Sequence, residues 1–333
     1  MQIGLHTDSL AALSLDQMLD TTTRLGIEYV ELPTGNWSDA PHLDLDDLHA
    51  NAQSRKELVK KVEDRGLKID ALNCSGNPLH PGKKGEEHQE VTHKTFELAN
   101  ELGVSRIILM SGCPAAGPGD SYPNWITVAW PPYAADLLDW QWNEVVLPYW
   151  SDLVAEARKN GIAELCVEMH GHQNVYSPAT LLKLRDAVGP TVGANFDPSH
   201  LVWMGADVLA AVEALEGAIY HVHAKDTKIE RSKIGLNTAL DAIPYDHPKD
   251  RSWNFVTLGY GQDESFWRAF MVALRRADFD GVLSVEHEDM LVEPVEALDK
   301  TVSLLNRVGF MEPIAQSDAD NRSGSDDTLA VGR

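Results

Sequence analysis

The sequence predicts an α/β fold, a single (β/α)8 TIM barrel with long loops after strands 4 and 7. Three observations support this prediction. Short apolar or β-branched segments alternate with longer amphipathic segments along the chain, a pattern typical of βα units around a parallel sheet. The alternation repeats eight times, which is enough to close a barrel. No GxGxxG motif opens the first helix, so the main sign of a dinucleotide-binding sheet is missing.

The first half of the chain supplies four predicted strands. They cover 2–6, 28–32, 68–73 and 106–110, and their helices cover 14–25, 45–65, 86–102 and 144–159. Ser14 is a favourable N-cap for the first helix, and a glycine follows each of the first three helices, where a left-handed residue often ends a helix. The segment between the fourth strand and its helix is a long loop.

The second half continues the same alternation. Its predicted strands cover 163–168, 192–197, 218–223 and 281–286, and its helices cover 178–188, 208–215, 266–277 and 294–308. The segment 227–263 after strand seven shows neither a helical nor a strand pattern. After residue 310 the sequence becomes polar and non-periodic. We therefore predict one barrel catalytic domain over 1–310 and a disordered C-terminal tail over 311–333.

Charge and cysteine content narrow the function. The formal net charge of −23 argues against a nucleic-acid partner, because such binding depends on lysines and arginines that displace counterions. The three cysteines are odd in number and lack CxxC spacing, which is typical of a reducing compartment. The chain opens on a strand-like segment and contains no apolar run of 18 residues. We therefore expect a cytoplasmic protein without membrane association.

Four side chains that bind metals well end the last four predicted strands. They are Glu168, Asp197, His223 and Glu286. The first three are 29 and 26 residues apart, which matches neighbouring βα units. An acid that ends a strand is often only a helix cap, so the interpretation rests on all four together. Three carboxylates and one imidazole suit Mn²⁺ or Mg²⁺, with Co²⁺ as a further alternative, and we predict a divalent metal site at this end of the barrel.

The segments around these residues, CVEMH, NFDPSH, IYHVHAKD and SVEHED, resemble the xylose-isomerase-like superfamily of sugar isomerases, epimerases and related enzymes. The resemblance covers essentially residues 1–310. It implies a Mn²⁺-type ion held by the four predicted ligands, with Glu168 and Glu286 also acting as acid and base. It further implies that His200 contacts a substrate oxygen.

Two positions depart from the ketose-epimerase branch of this superfamily. That branch has a glutamate six residues after the first ligand and an arginine six residues after the histidine ligand, where this chain has Asn174 and Ile229. The sequence is instead similar to catalytic subunits of C-glycoside deglycosidases, in which a 3-keto sugar loses its C2 proton and then its aglycone. We therefore favour a metal-dependent lyase that performs β-elimination on a 3-keto glycoside. The alternative is a sugar isomerase or epimerase acting through a metal-bound enediolate, and a DNA-repair AP endonuclease is less favoured.

Histidines and a lysine near the ligands are further candidate site residues. His170, two residues after Glu168, is the candidate base or a residue that holds Glu168. Lys225 is predicted either to donate to a developing oxyanion or to pair with Asp226.

Three more side chains are placed by their position on the barrel. His6, at the end of strand one, is expected at the cavity mouth, as a substrate contact or a packing residue. Asn174 is predicted to contact substrate. His287 directly follows Glu286 and is expected to face away from the cavity.

The two long loops offer surfaces for a ligand or a partner. The loop after strand four carries six aromatic residues between Tyr122 and Trp142. We predict that Trp125 stacks on a sugar or a flat aglycone; the alternatives are a self-packed loop or contact with a second subunit or another copy of the chain. The loop after strand seven is a candidate lid, in which Gly259 and Gly261 act as hinges or turns. The expected ligand is a small-molecule sugar or keto-glycoside.

Overall fold

The computed structural model describes residues 1–310 and Glu312. Its strands are β1 (Gln2–His6), β2 (Tyr29–Pro33), β3 (Lys68–Asn73), β4 (Arg106–Met110), β5 (Glu164–Glu168), β6 (Val192–Phe196), β7 (Ile219–Ala224), β8 (Asp226–Ile229), β9 (Trp253–Val256) and β10 (Val282–Val285). All except β8 and β9 close into a parallel barrel in the order β1-β10-β7-β6-β5-β4-β3-β2. This confirms the predicted (β/α)8 barrel. The predicted tail, 311–333, lies outside the described residues apart from Glu312.

The helices surround the barrel. They are α1 (Leu15–Arg24), α2 (Leu45–Ala50), α3 (Ala52–Glu63), α4 (Lys83–Leu102), α5 (Tyr133–Trp140), α6 (Leu147–Lys159), α7 (Pro178–Val188), α8 (Pro198–Met204), α9 (Val208–Ala214), α10 (Arg231–Asn237), α11 (Glu264–Arg276) and α12 (Pro294–Val308). Ser14 caps α1 in a reciprocal capping box with Gln17. Within the part of the chain that the structure describes, every helix is too short or too polar to cross a lipid bilayer.

Two predicted helix boundaries are wrong. The single helix expected over 45–65 is divided into α2 and α3 at Asn51, whose side chain accepts hydrogen bonds from the backbone N–H groups of Gln53 and Ser54. An asparagine favours such a cap because its side chain competes for the first backbone donors of a helix. The helix expected from residue 144 begins earlier: α5 starts at Tyr133 and continues through a π-helical turn, Gln141–Val146, into α6.

The segment after β7 has secondary structure that the sequence pattern did not predict. Strands β8 and β9 form an antiparallel pair in which Asp226 lies opposite Val256, and α10 lies between them. These elements are four to seven residues long, which is too short for a clear periodic pattern. We call residues 226–262 the β7 insertion.

The two ends of the β7 insertion meet at one carboxylate. The side chain of Asp226 accepts hydrogen bonds from the backbone N–H groups of Thr227, Gly259, Gly261 and Gln262, at 2.8–3.1 Å. Gly261 packs so closely that a Cβ atom there would lie 2.4 Å from the carbonyl oxygen of Thr227. The two glycines therefore form a turn that the side chain of Asp226 holds in place. Of the two roles predicted for them, a lid hinge or a turn, the contacts support the turn.

Two tryptophans, Trp150 and Trp267, are the largest side chains buried in the layer between the barrel and its helices, and both are fully buried. The indole N–H of Trp150 donates to the carbonyl oxygen of Ser111 at 2.9 Å. The indole N–H of Trp267 has no partner among the described residues. The two side chains thus share size and burial but differ by one buried hydrogen bond.

Replacing Trp150 with Phe should lower the free energy of unfolding by about 1–3 kcal/mol more than replacing Trp267 with Phe. Each change removes the same atoms from the core, but only Trp150→Phe leaves the Ser111 carbonyl without its donor. Urea denaturation of both variants measures the difference. Equal losses at the two positions would contradict the assigned hydrogen bond.

Candidate functional site

The four predicted metal ligands lie together at the C-terminal end of the barrel. One donor atom from each of Glu168, Asp197, His223 and Glu286 lies within 4.8 Å of the others. Glu168 ends β5, Asp197 and Glu286 directly follow β6 and β10, and His223 belongs to β7. The Oδ2 atom of Asp197 is buried and accepts no hydrogen bond from the described residues. A buried anionic oxygen without a donor is what a cation ligand presents, so the donor set fits a divalent ion.

The two nitrogens of His223 face opposite sides of the site. Its Nδ1 atom lies 2.8 Å from Glu286 Oε2 and 3.3 Å from Glu168 Oε2. Its Nε2 atom lies 3.1 Å from both carboxylate oxygens of Glu31. Burial alone would lower the pKa of His223, but the charges of Glu31 and Glu286 raise it well above its ordinary value. The Nδ1 atom therefore faces the side of the site on which the four-donor set would hold a cation.

Glu31, which sequence analysis missed, contacts the ring nitrogen of His223 that faces away from the other three donors. It is 1% exposed and accepts hydrogen bonds from Asn73 Nδ2 and Ser284 Oγ, both at 2.7 Å. It also lies 3.0 Å from His221 Nε2. A carboxylate that binds the far nitrogen of a ligating histidine fixes the ring and its tautomer. The signal in the sequence was an acid inside the apolar segment YVELP, because a buried carboxylate requires partners.

A chain of ion pairs leads from Glu31 toward the opposite end of the barrel. His221 Nδ1 lies 3.1 Å from Asp70 Oδ2, and Asp70 in turn accepts from Arg106 at 2.7 Å. Arg106, the first residue of β4, also donates to Glu164 at the start of β5, at 2.7 Å. Burial would lower the pKa of His221, but its bonds to Asp70 and Glu31 raise it. The barrel interior along this line therefore contains acidic and basic side chains that pair with one another.

Neighbouring carboxylates in the four-donor set differ in their affinity for protons. Burial raises the pKa of Asp197 to about 6. Burial also acts to raise the pKa of Glu286, but the charges of Lys225 and His223 hold it well below its ordinary value. Glu286 therefore stays ionised under conditions that protonate Asp197.

Lys225 contacts the site directly. It is 4% exposed, and its Nζ atom lies 3.0 Å from Glu286 Oε1 and 2.9 Å from Glu288 Oε2. Burial would lower the pKa of Lys225, but these two carboxylates raise it well above its ordinary value, so the ammonium stays charged. The alternative prediction, a pair with Asp226, is wrong because Asp226 is engaged in the turn of the β7 insertion.

His170 lines the cavity above the four donors, as predicted, and its pKa differs from that of an ordinary histidine. Its Nδ1 atom lies 2.5 Å from the carbonyl oxygen of Gly171, and its ring centroid lies 4.0 Å from that of His200. Burial and the charge of His200 lower the pKa of His170 to about 3. The ring is therefore neutral at physiological pH.

Two other predicted histidines also line this cavity. His200, on α8, places Nε2 3.1 Å from Glu168 Oε1 and 3.4 Å from Asp197 Oδ2. His6 is buried and lines the cavity, with Nε2 3.8 Å from Glu31 Oε1.

His287, which was expected to face away, lines the cavity as well. Strand β10 ends at Val285, so the alternation of a strand no longer sets the direction of this side chain. Its backbone N–H donates to Ser9 Oγ at 3.0 Å.

The cavity above the four donors, which we call the donor cavity, has a volume of about 560 Å³. Two predicted substrate contacts do not line it. Asn174 is 4% exposed, and its side chain donates to Gln141 Oε1 at 3.4 Å, so it packs beneath the loop after β4. Trp125 packs against His172 and Tyr176, with ring centroids 5.1 and 5.6 Å away, in an adjoining recess.

Replacing Glu31 with Leu should lower the free energy of unfolding by about 3–5 kcal/mol, because two buried histidines lose the carboxylate that compensates them. Glu31→Gln keeps two hydrogen-bonding atoms at the same place and should cost less. Chemical denaturation at pH 7 measures both. A Glu31→Leu protein as stable as the unmodified chain would contradict the role assigned to this residue.

Comparisons with known proteins agree with this architecture. The chain is 46% identical over 312 residues to "Uncharacterized protein YfiH" of Bacillus subtilis (strain 168). The matched region covers 91% of this chain and 100% of that protein. Three solved structures share the fold at 16–18% identity. The first is the probable 3-DHS dehydratase AsbF of Bacillus anthracis, with a TM-score of 0.65 over 92% of this chain and 99% of that one. The second is an L-ribulose 3-epimerase, with a TM-score of 0.61 over 92% of this chain and 94% of that one. The third is the IOLI protein with a bound zinc atom, with a TM-score of 0.63 over 93% of this chain and 100% of that one.

A sequence model described as Xylose isomerase-like TIM barrel matches residues 19–308. This match spans the four-donor set and nearly the whole barrel, and it confirms the superfamily that the four sequence segments resemble. The chain therefore belongs to the xylose isomerase-like TIM barrel family.

Proposed function

We propose that this chain is a divalent-metal-dependent enzyme that removes a proton from the carbon beside a carbonyl of a sugar. The observation that carries the proposal is the convergence of three carboxylates and one imidazole at a cavity of about 560 Å³. The family match supports it, as does a shared fold with an L-ribulose 3-epimerase. The outcome we favour is isomerisation or epimerisation, which the comparisons support better than elimination.

The ion we propose is Mn²⁺, with Mg²⁺ or Co²⁺ as alternatives, because three of the four ligands are hard oxygen donors. When bound, the cation would supply positive charge beside the substrate oxygens and stabilise a developing enediolate. The IOLI structure contains zinc, so zinc belongs in any test of metal preference.

Glu286 is the base that the contacts support best. Its carboxylate belongs to the four-donor set, lines the cavity and is held between Lys225 and His223, so it lies beside the place where a cation would hold the substrate oxygens. Lys225 lies beside it with a permanent charge and is placed to donate a proton or a hydrogen bond to an oxyanion that forms on the substrate. Glu168, held by His200 and His223, is the second acid–base group on the other side of the donor set. His170, which sequence analysis favoured as base, then binds or orients substrate.

Elimination from a 3-keto glycoside is the second candidate. The same proton abstraction starts both reactions, and the outcome depends on whether the neighbouring carbon carries a leaving group. The observation in its favour is the absence of the epimerase-type glutamate and arginine: Asn174 is buried away from the cavity, and Ile229 lies in β8.

We further propose that residues 1–310 form one catalytic domain that works in the cytoplasm on a small-molecule sugar and not on nucleic acid. Three buried free cysteines and a net charge of −23 support this. Contact with a second subunit or another copy through the loop after β4, where Tyr122, Trp130 and Tyr133 are exposed, stays a prediction.

In D₂O with Mn²⁺, the protein should exchange the hydrogen beside the carbonyl of at least one ketose or 3-keto glycoside in a panel, as measured by NMR. Glu286→Gln should slow this exchange at least about 100-fold, because it removes the base. Glu296→Gln makes the same chemical change on the surface of α12 and should exchange normally. Release of an aglycone together with exchange would select elimination. A panel without any exchange would refute the proposal.

The affinity for Mn²⁺ should fall more steeply with decreasing pH below pH 6 than above it, because protonation of Asp197 adds a loss of about tenfold per pH unit to the loss from protonation of His223. Asp197, with a pKa of about 6, is negatively charged above that pH and neutral below it, so a proton competes with the cation on the acid side. Isothermal titration calorimetry between pH 7.5 and 5 measures the slope, and buffers of different ionisation enthalpy report the proton released. A slope that does not steepen below pH 6 would contradict Asp197 as a ligand.

A further inference from the structure

We propose that Asp70 and His221, inside the barrel, are positioning residues that set the affinity of the site for its cation, and that they act through Glu31. The inference rests on the proposed function for the presence of a cation. It goes beyond that function because it gives a role to two residues that belong neither to the four-donor set nor to the lining of the donor cavity.

His221 shares the carboxylate of Glu31 with His223. The two histidines are two residues apart on β7, so their side chains point to the same side of the strand. His221 Nε2 lies 3.0 Å from Glu31 Oε2, and His223 Nε2 lies 3.1 Å from both oxygens of Glu31. A change at His221 therefore reaches the carboxylate that orients His223.

Asp70 contacts the other ring nitrogen of His221. The Oδ2 atom of Asp70 lies 3.1 Å from His221 Nδ1, and neither atom forms a hydrogen bond with any other group in the described part of the chain. The Oδ1 atom of Asp70 accepts a hydrogen bond from Arg106 at 2.7 Å. Each oxygen of Asp70 thus serves one partner, and the contact with Asp70 fixes His221 from the side opposite Glu31.

The negative charge of Asp70 acts over a distance because its surroundings exclude water. His221 is fully buried, Glu31 is 1% exposed, and the side chain of Asp70 is 10% exposed. Burial would raise the pKa of Asp70, but His221 and Arg106 lower it, so the carboxylate stays ionised. Charges interact strongly in such a medium. Loss of this negative charge would therefore disfavour a cation beside His223.

The alternative is that these ion pairs only stabilise the barrel. Barrel interiors of this kind are filled mostly by branched apolar side chains, and a buried ion pair seldom stabilises a protein more than apolar residues of the same size do. Here the buried pairs converge on Glu31, which contacts a residue of the four-donor set. Groups that orient a ligating histidine alter metal affinity when they are replaced, so a positioning role accounts for the contacts better.

Arg106 provides a matched control, because it pairs with both Asp70 and Glu164 at 2.7 Å. Asp70→Asn and Glu164→Gln each remove one negative charge and leave one side-chain oxygen for Arg106. Only Asp70→Asn also places an amide N–H opposite Nδ1 of His221, since the carboxylate of Glu164 contacts no histidine among the described residues.

Calorimetry on the full chain should show that Asp70→Asn raises the Kd for Mn²⁺ about tenfold, whereas Glu164→Gln changes it by less than about twofold. A second measurement needs no cation. In the ¹⁵N-histidine-labelled chain, Asp70→Asn should shift the NMR signal of the His223 Nε2–H group, because Glu31 lies between the two sites. Glu164→Gln should leave this signal in place.

A double-mutant cycle tests whether Asp70 acts through His221. His221→Gln keeps an N–H group for Glu31 and should itself raise the Kd for Mn²⁺ about tenfold. Adding Asp70→Asn to this variant should change the Kd by less than about twofold, since the partner of Asp70 is already gone. If Asp70→Asn alone does not fold, the loss of affinity in His221→Gln and the shift of its His223 signal decide the question.

The positioning role is overturned if Glu164→Gln weakens Mn²⁺ binding as much as Asp70→Asn does, if the effects of Asp70→Asn and His221→Gln add, or if the His223 signal does not move. Any of these results in a chain that binds Mn²⁺ leaves the proposed function intact. A chain that binds no divalent cation refutes the proposed function instead, and the His223 signal then decides by itself whether Asp70 positions the ring.

Discussion

The contact between the Glu31 carboxylate and the imidazole of His223 is the interaction on which the site depends. One ring nitrogen is bound to Glu31 inside the barrel, which directs the other nitrogen toward Glu168 and Glu286. A ring held on both sides cannot rotate without breaking a buried ion pair. The position of the imidazole is therefore set by the barrel interior and not by the loops above it.

Buried charge of both signs gives each carboxylate of the site a different character. Glu286 is surrounded by Lys225 and His223 and holds its negative charge, whereas Asp197 lies where desolvation dominates and its pKa rises to about 6. Groups with separated pKa values in one cavity are the usual basis of acid–base catalysis. In this chain that separation comes from the cations that each acid contacts, since Glu168 and Asp197 are buried and Glu286 is only 13% exposed.

The sequence predicted the barrel and the four donors because strand ends and apolar runs are local signals. Glu168, Asp197 and His223 follow such runs at the spacing of βα units, so their convergence follows from the fold. Glu31 was missed because its partners lie on β3, β7 and β10, and pairing across a barrel leaves no local pattern. The β7 insertion was missed because its strands are short, and His287 was misplaced because β10 ends before it.

Asp226 gives the β7 insertion a property that its length alone would not suggest. Because one carboxylate binds the backbone at both ends of the segment, the chain leaves and rejoins the barrel at nearly the same point. Residues between these ends can be lengthened, shortened or exchanged without altering the register of β7 against β10. The segment that lines the upper part of the cavity can thus vary in sequence and length while the four donors at its floor keep their positions.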